Sequence, residues 1–205
     1  MIHPTAEVSP EARIGHGTRI WHEAQVREGA VVGGDCNVGK GVYIGPGVVV
    51  GERVKIQNRA SLYPNLTVED GVFIGPHVVF TNDRYPRSIT PEGRLLTDAD
   101  WEPGATLVRH GASIGAGAVV ICGLTIGRWA LVGAGALVTH DVPDHGLVTG
   151  APARLVGYVC DCARKLEPEK GPGHWRCPAC GRTFELAPLP GRVRQRRARL
   201  TARGA

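Results

Sequence analysis

A six-residue period dominates this chain. Every sixth residue from Ile2 to Phe80, and again from Val108 to Val138, is large and apolar, giving twenty hits at twenty positions. Even at the chain's full hydrophobic frequency of 42%, such a run has a chance probability below about 10⁻⁷. The fourth residue after each hit is small or apolar, as at Ala24, Cys36, Val48 and Ala118. Thr18 is the exception among the clean hexads, and Arg84 the exception where the pattern breaks. The third residue after each hit is Gly, Asn or Asp in thirteen of the twenty cases; these types tolerate a left-handed corner. Helices repeat every 3.6 residues or so and simple strands every two, so two inward positions in six fit neither. They fit short flat strands joined by corners, three to a coil, stacked as a parallel β-solenoid. Twenty hexads make about 6.7 coils, a prism roughly 32 Å tall at about 4.8 Å per coil. A β-sandwich with regular turns would not hold one period for so long.

Composition closes off other classes. With 29 glycines, one Met and 5% aromatics, the chain is no helical bundle. No run approaches the roughly 18 apolar residues that cross a bilayer, and the opening MIHPTAEVSPEA lacks the features of a signal peptide. A cytoplasmic protein with no membrane partner is the expectation. The net charge of +5 is concentrated at one end: six arginines (192, 194, 196, 197, 199 and 203) fall in the last fifteen residues. Without them the balance is 5 − 6 = −1, so the body is not a basic nucleic-acid-binding surface.

Two segments depart from the period. Residues 81–107, TNDRYPRSITPEGRLLTDADWEPGATL, form an excursion too long for a simple connector, and such loops are usually functional. Tyr85, Leu95, Leu96 and Trp101 are apolar groups that can dock it. Later, Cys160-x-Cys162 and Cys177-x-x-Cys180-Gly read as a four-thiolate zinc site, CPACG being a good metal knuckle. The tighter first pair leaves His174 open as a substitute ligand. A disulfide is the alternative, disfavoured because nothing suggests secretion. The role expected of the zinc is structural, since so small a lobe buries too little surface without a staple. Cys36 sits at an inward position; Cys122 sits at a corner and is expected to be exposed. The chain thus divides into a β-solenoid at 1–158 with the insertion 81–107, a zinc-binding lobe at 159–187, and a basic flexible tail at 188–205.

The hexads IGPGVV, IGAGAV and VGAGAL resemble those of the hexapeptide-repeat acyltransferases. The resemblance implies a left-handed parallel β-helix, whereas parallel β crossovers in general favour the right-handed sense. Gly150-Ala151-Pro152-Ala153-Arg154 resembles the segment closing the coil stack in the acetyl-CoA-dependent members, beside the nucleotide end of the coenzyme. Read in order, IHPTAEVSPEARIGHGTRIWHEAQV, VKIQNRASLY, FTNDRYPR, VICGLTIGRWALVGAGALVTHDVPD and VTGAPAR resemble the nucleotide-linked 3-amino-sugar N-acetyltransferases, over roughly residues 2–158. That implies acetyl-CoA as donor, a UDP- or dTDP-linked amino sugar as acceptor, and a homotrimer with sites between subunits, serving surface-polysaccharide or related glycan synthesis.

Residue roles follow from that resemblance. Asn82, in FTNDRYPR, matches the asparagine beside the acceptor amine. Asp83 and Arg84 follow on the loop root, and Arg87 can face a phosphate or uronate. His77, at a corner where Gly is usual, is the remaining base or amine contact. Gln57, Asn58 and Tyr63, in VKIQNRASLY, are further acceptor-side candidates. Residues eighteen apart stack, so His22, Lys40 and Asn58 line one edge, where a nucleotide could sit. Backbone near Gly117 and Gly135, with Pro152 and Arg154, is expected to meet the coenzyme; His140 stands where many relatives carry lysine. Many hexapeptide transferases use a loop histidine as general base, and 81–107 contains none. An alcohol must lose its proton as it attacks, while an amine need only be neutral, so an amine acceptor is favoured. Two other readings compete. One is a γ-class carbonic anhydrase-like metalloenzyme, prompted by His140-x₄-His145. The other is a non-enzymatic scaffold using the zinc lobe and basic tail.

Overall fold

The computed structural model describes residues 1–97, 100–102 and 104–189. The arginines at 192–203 lie outside them. The period is realised as three flat parallel sheets wound by one chain. Face A holds Arg19–Ile20, Asn37–Val38, Lys55–Ile56, Phe73–Ile74, Ser113–Ile114 and Leu131–Val132, continued by later strands to eight. Face B runs through seven strands from Glu7–Val8 to Leu137–Val138, and face C through six from Arg13–Ile14 to Thr125–Ile126. Register is in phase along the hexads: Val8 pairs with Val26, and Ile20 with Val38. Each inward residue therefore sits directly on its counterpart one coil away. Ile20, Val38, Ile56, Ile74, Ile114 and Val132 form one such column, none more than 1% exposed.

The corners explain the glycine content. Each residue three after an inward hit, from Gly17 to His77 and from Gly111 to Gly135, has φ between 55° and 79°. Glycine adopts that region freely; Glu23, Asp35, Arg53, Arg59, Asn65, His77 and Trp129 adopt it against a cost of roughly 1–2 kcal/mol. Thr18, the polar intruder, is buried and satisfied: its hydroxyl donates to the Gly33 carbonyl at 2.7 Å and accepts from the Cys36 N–H at 3.0 Å.

The excursion leaves the stack undisturbed, because Leu66 pairs with Thr106 and Val68 with Val108 across it. Cys122 is 1% exposed, against the sequence expectation. The returning arm of the loop covers it: a Cβ on Gly104 would lie 3.0 Å from its Sγ. Tyr85 and Leu95 also differ from expectation, being 72% and 70% exposed where docking was anticipated.

The stack also continues past Val138. Val142 bridges Ile126, and Gly146–Thr149 pairs in parallel with Leu131–Val132. Here the step shortens to four residues, so at Thr125 a side chain replaces the missing backbone acceptor, while the Arg128 N–H meets a side chain as its equivalents Lys40 and Glu52 do. Asp141 Oδ1 accepts from the Thr125 N–H at 2.8 Å, and Asp144 Oδ1 from the Arg128 N–H at 2.7 Å. The chain then reverses, and Arg154–Tyr158 closes face A antiparallel to Gly146–Thr149. Beyond it, three short antiparallel strands, Glu167–Pro168, His174–Arg176 and Thr183–Glu185, complete a small lobe. Its core is Tyr158, Cys160, Leu166, Trp175 and Cys177. Among the described residues no helix is long and apolar enough to cross a membrane.

Candidate functional site

Phe80 ends a face-B strand, and the chain leaves the stack at the corner that follows. Thr81 fixes the point of departure by accepting the Cys122 N–H at 3.1 Å. Asn82 comes next, and Asp83 turns the chain by accepting the Tyr85 N–H at 2.8 Å. The excursion folds on itself through an Ile89–Leu95 bridge and then through one ion pair. Arg94 donates from both terminal nitrogens to Asp100, at 2.9 and 2.8 Å, while the Thr97 N–H and hydroxyl each donate to Asp100 Oδ2 at 2.9 Å. The side-chain hydrogen bond from Arg94, reinforced by those from Thr97, holds the Asp100 carboxyl well below the usual carboxylate range.

This folding encloses an open cavity of about 480 Å³ at the loop root. Asn82, Asp83 and Arg87 line it, with Tyr85, Trp101, Leu96, Thr97, Asp100 and Glu102. Three of the sequence candidates thus converge. Arg84 instead lies back over the next corner, with Nη1 3.7 Å from where a Cβ on Gly123 would stand. Asp100, Thr97 and Glu102 had no sequence signal, since Arg94 and Asp100 form no local motif. The sequence marks Tyr85 and Trp101 only as docking groups; in the structure they help wall the cavity.

The remaining acceptor-side candidates lie elsewhere on the prism. Tyr63 is nearest: Leu62 pairs with Phe80, so Tyr63 sits one coil from Thr81, its ring 5.4 Å from that of Tyr43. His22, Lys40 and Asn58 do stack, as the Gly41 N–H to His22 carbonyl and Lys40 N–H to Asn58 Oδ1 bonds show (2.9 and 3.0 Å). They engage one another and close neighbours: the His22 ring stacks on His3 at 3.5 Å, and Lys40 pairs with Glu23 at 3.4 Å. Gln57 adjoins Asn58 on this A/B edge. His77 is exposed on the same edge, where its N–H donates to the Asn58 carbonyl at 3.1 Å. The strand Val79–Phe80 separates it from Asn82. Five residues of extended chain span up to roughly 16 Å, and His77 does not line the cavity.

Directly along the His77 edge come Gly117 and Gly135. Their N–H groups donate to the Pro76 and Ala116 carbonyls at 2.8 Å, and a Cβ on either would meet nothing within 4 Å. The 150–153 segment crosses the end of this edge: Leu137 N–H donates to the Gly150 carbonyl at 3.0 Å, and Ala153 N–H to the Leu137 carbonyl at 2.7 Å. The Ala151–Pro152 bond is cis. Arg154 and His140 share a second cavity of about 380 Å³ with Thr139, Asp141 and Leu155.

In the lobe, the four cysteines converge. Cys160 and Cys180 Sγ are 3.5 Å apart, Cys162 and Cys177 3.6 Å, and Cys162 and Cys180 4.0 Å. Tetrahedral zinc with bonds of about 2.3 Å requires sulfur edges of about 3.8 Å, which this set brackets. A sulfur–sulfur bond of about 2.05 Å is not what the lobe holds. The two buried thiols move apart in acidity: burial pushes Cys160 up to about 12, whereas at Cys177 burial is outweighed by N–H donation from Cys180 and Ala179, which brings the group to about 7. His174 is exposed on its strand and takes no part in the cluster. His145 serves docking: its Nδ1 lies 3.0 Å from the Val159 carbonyl and its ring 4.8 Å from Phe184. His140 bonds instead to Thr139 Oγ1 at 2.9 Å, so the two histidines do not form a pair for a metal.

Residues 47–82 match the bacterial transferase hexapeptide (six repeats) family. Over 64 residues the chain is 55% identical to dTDP-3-amino-3,6-dideoxy-alpha-D-galactopyranose 3-N-acetyltransferase of Aneurinibacillus thermoaerophilus, covering 31% of this chain and 33% of that protein. Over 88 residues it is 38% identical to serine acetyltransferase of Escherichia coli K12, covering 42% of this chain and 31% of that one. The chain thus spans about a third of the length of these curated relatives. Among solved structures, a histidine-to-alanine mutant of GDP-perosamine N-acetyl transferase from Caulobacter crescentus, in complex with CoA and GDP-perosamine, matches with a TM-score of 0.51 at 26% identity. That match covers 76% of this chain and 55% of that one. The matched repeats lie within the stack of in-register coils, and over that part of its length the chain is similar to the hexapeptide-repeat transferases.

Proposed function

We propose that the protein transfers the acetyl group of acetyl-CoA to the amine of a nucleotide-linked 3-amino sugar, UDP- or dTDP-linked, for surface-polysaccharide or related glycan synthesis. The observation that carries this reading is the loop-root cavity. It gathers an amide (Asn82), a guanidinium (Arg87) and carboxylates (Asp83, Glu102), with no histidine among its described lining residues. The amide carbonyl orients a neutral amine, the guanidinium meets a phosphate or uronate, and the aromatic rings of Tyr85 and Trp101 offer sugar or base a flat wall. The amine nitrogen attacks the thioester carbonyl carbon, forming the C–N bond as the C–S bond breaks. The amine proton leaves to water or to the departing CoA thiolate. Gly117, Gly135, Pro152 and Arg154 form the coenzyme side of this reading.

His77 and Asn82 occupy neighbouring corners of one coil, facing away across a strand. A homotrimer, in which the A/B edge of one copy meets the loop root of the next, would close the site between subunits. Structural zinc on Cys160, Cys162, Cys177 and Cys180, and a cytoplasmic location, belong to the same proposal. Acetyl-CoA consumption against a panel of UDP- and dTDP-linked 3-amino and 4-amino sugars tests it. Turnover with a 3-amino sugar is the expected result; turnover with none of the panel would overturn the reading.

A further inference from the structure

We propose that the four-thiolate lobe clamps the strand that presents Arg154, so that metal loading and coenzyme affinity form one coupled equilibrium. This rests on the acetyl-CoA reading of the Arg154 end and gives the lobe a role beyond holding itself together.

One strand joins the end of the stack to the lobe. Arg154–Tyr158 is the outermost member of face A, paired only with Gly146–Thr149 and interrupted by a register shift between Leu147 and Val148. An edge strand with an irregular register is among the first elements to open locally. Its first two residues, Arg154 and Leu155, line the 380 Å³ cavity at the end of the stack. Its last, Tyr158, is 2% exposed in the core of the lobe, with its ring 5.1 Å from Trp175. Two residues further on is Cys160. Leu155 packs against both the solenoid core and the lobe core. Val159 N–H donates to the His145 carbonyl at 2.8 Å, and Leu166 N–H to the Tyr158 carbonyl at 2.8 Å, so the strand is held from the last coil and from the lobe together. Among the described residues the lobe buries three large apolar side chains besides its cysteines, Tyr158, Leu166 and Trp175, with Phe184, Leu186 and Leu189 only partly buried against them. Such a core does not fold without a staple, and binding of metal to four thiolates is folding free energy for the lobe. Metal orders the lobe, the lobe orders the strand, and the strand fixes Arg154, which acts here as the group whose position is set.

The full chain, zinc-loaded, chelator-stripped and reloaded, decides it. Amide hydrogen exchange at 154–158 should accelerate about tenfold or more on stripping, with the hexads unchanged, and recover on reloading. CoA affinity by calorimetry should fall about tenfold in parallel. Arg154→Ala in the loaded protein should weaken CoA by a similar factor, and stripping that variant should add less than about twofold, since the two losses share one route. Phe184→Ala, which loosens the lobe's seat on His145 but keeps all four thiolates, should move both readouts the same way by less. Unchanged exchange and affinity after stripping would overturn the proposal, as would a stripping loss fully additive with Arg154→Ala. Failure of the loaded chain to bind CoA would instead sink the acetyltransferase reading. Exchange at 154–158, which needs no coenzyme, would still report whether the lobe holds the strand.

Discussion

Asp100 takes four donors on the surface of a loop, and that determines what can be asked of the cavity it lines. Asp100→Asn keeps the volume but loses the charge that pairs with Arg94. The expected outcome is a roughly tenfold rise in acceptor KM with kcat changed less than about threefold, because binding geometry is lost and not a reacting group. Arg94→Ala should do the same, and the double variant little more than either alone. Asn82→Ala should lower kcat by about 10²-fold or less, since it removes orientation. His77→Ala should cost about tenfold or less and leave in place the limb of kcat/KM that rises as the sugar amine deprotonates. Loss of that limb together with a fall of about 10²–10⁴-fold would make His77 the general base. Asn82 and Arg87 were legible because they sit in a short run with a family likeness. Asp100 was not, because its place in the cavity wall is set by a partner six residues away in a segment without period.

At the level of elements, the hexad was readable because one position in six is decided by burial alone. Stacked inward residues have no alternative environment, so their chemistry is uniform. Ile114 illustrates the consequence: it pairs with Ile74 on one side and Val132 on the other and is fully buried. Ile114→Ala should destabilise the stack by about 2–5 kcal/mol in denaturant unfolding. Serine at the outward Val119, on the neighbouring face, should cost under about 1 kcal/mol. Equal costs at the two positions would contradict the assignment of inward and outward residues. The last coil escaped sequence reading for a physical reason. There the Asp141 side chain accepts the Thr125 hydrogen bond that a backbone carbonyl accepts in other coils, and the six-residue step that reveals the fold is lost. The burial of Cys122 is nonlocal in the same way: its cover comes from Gly104, at the far end of the insertion, and no local spacing shows that.

For the whole molecule, the arrangement of corners argues for assembly. A single prism carries the coenzyme candidates Gly117 and Gly135 on the A/B edge and the acceptor candidates Asn82 and Arg87 at the corner that follows face B. A thioester carbonyl and an amine must come within about 3–3.5 Å to react, while these edges are separated by a strand. Exposed apolar groups lie around the same region: Tyr63 at 40%, Tyr85 at 72% and Leu95 at 70% exposure. A second copy apposing its A/B edge to the loop root would cover such groups and complete the site, and three copies close the ring without leaving an edge. Sedimentation or light scattering should therefore give a mass three times 21.8 kDa. Dilution that splits the assembly should abolish turnover in proportion to the trimer lost. Leu95→Lys, placed on the exposed loop and outside the cavity lining, should weaken assembly and activity together while each chain keeps its fold by circular dichroism. A stable monomer that still turns over would show that one chain holds a complete site, and the intersubunit arrangement would then be wrong.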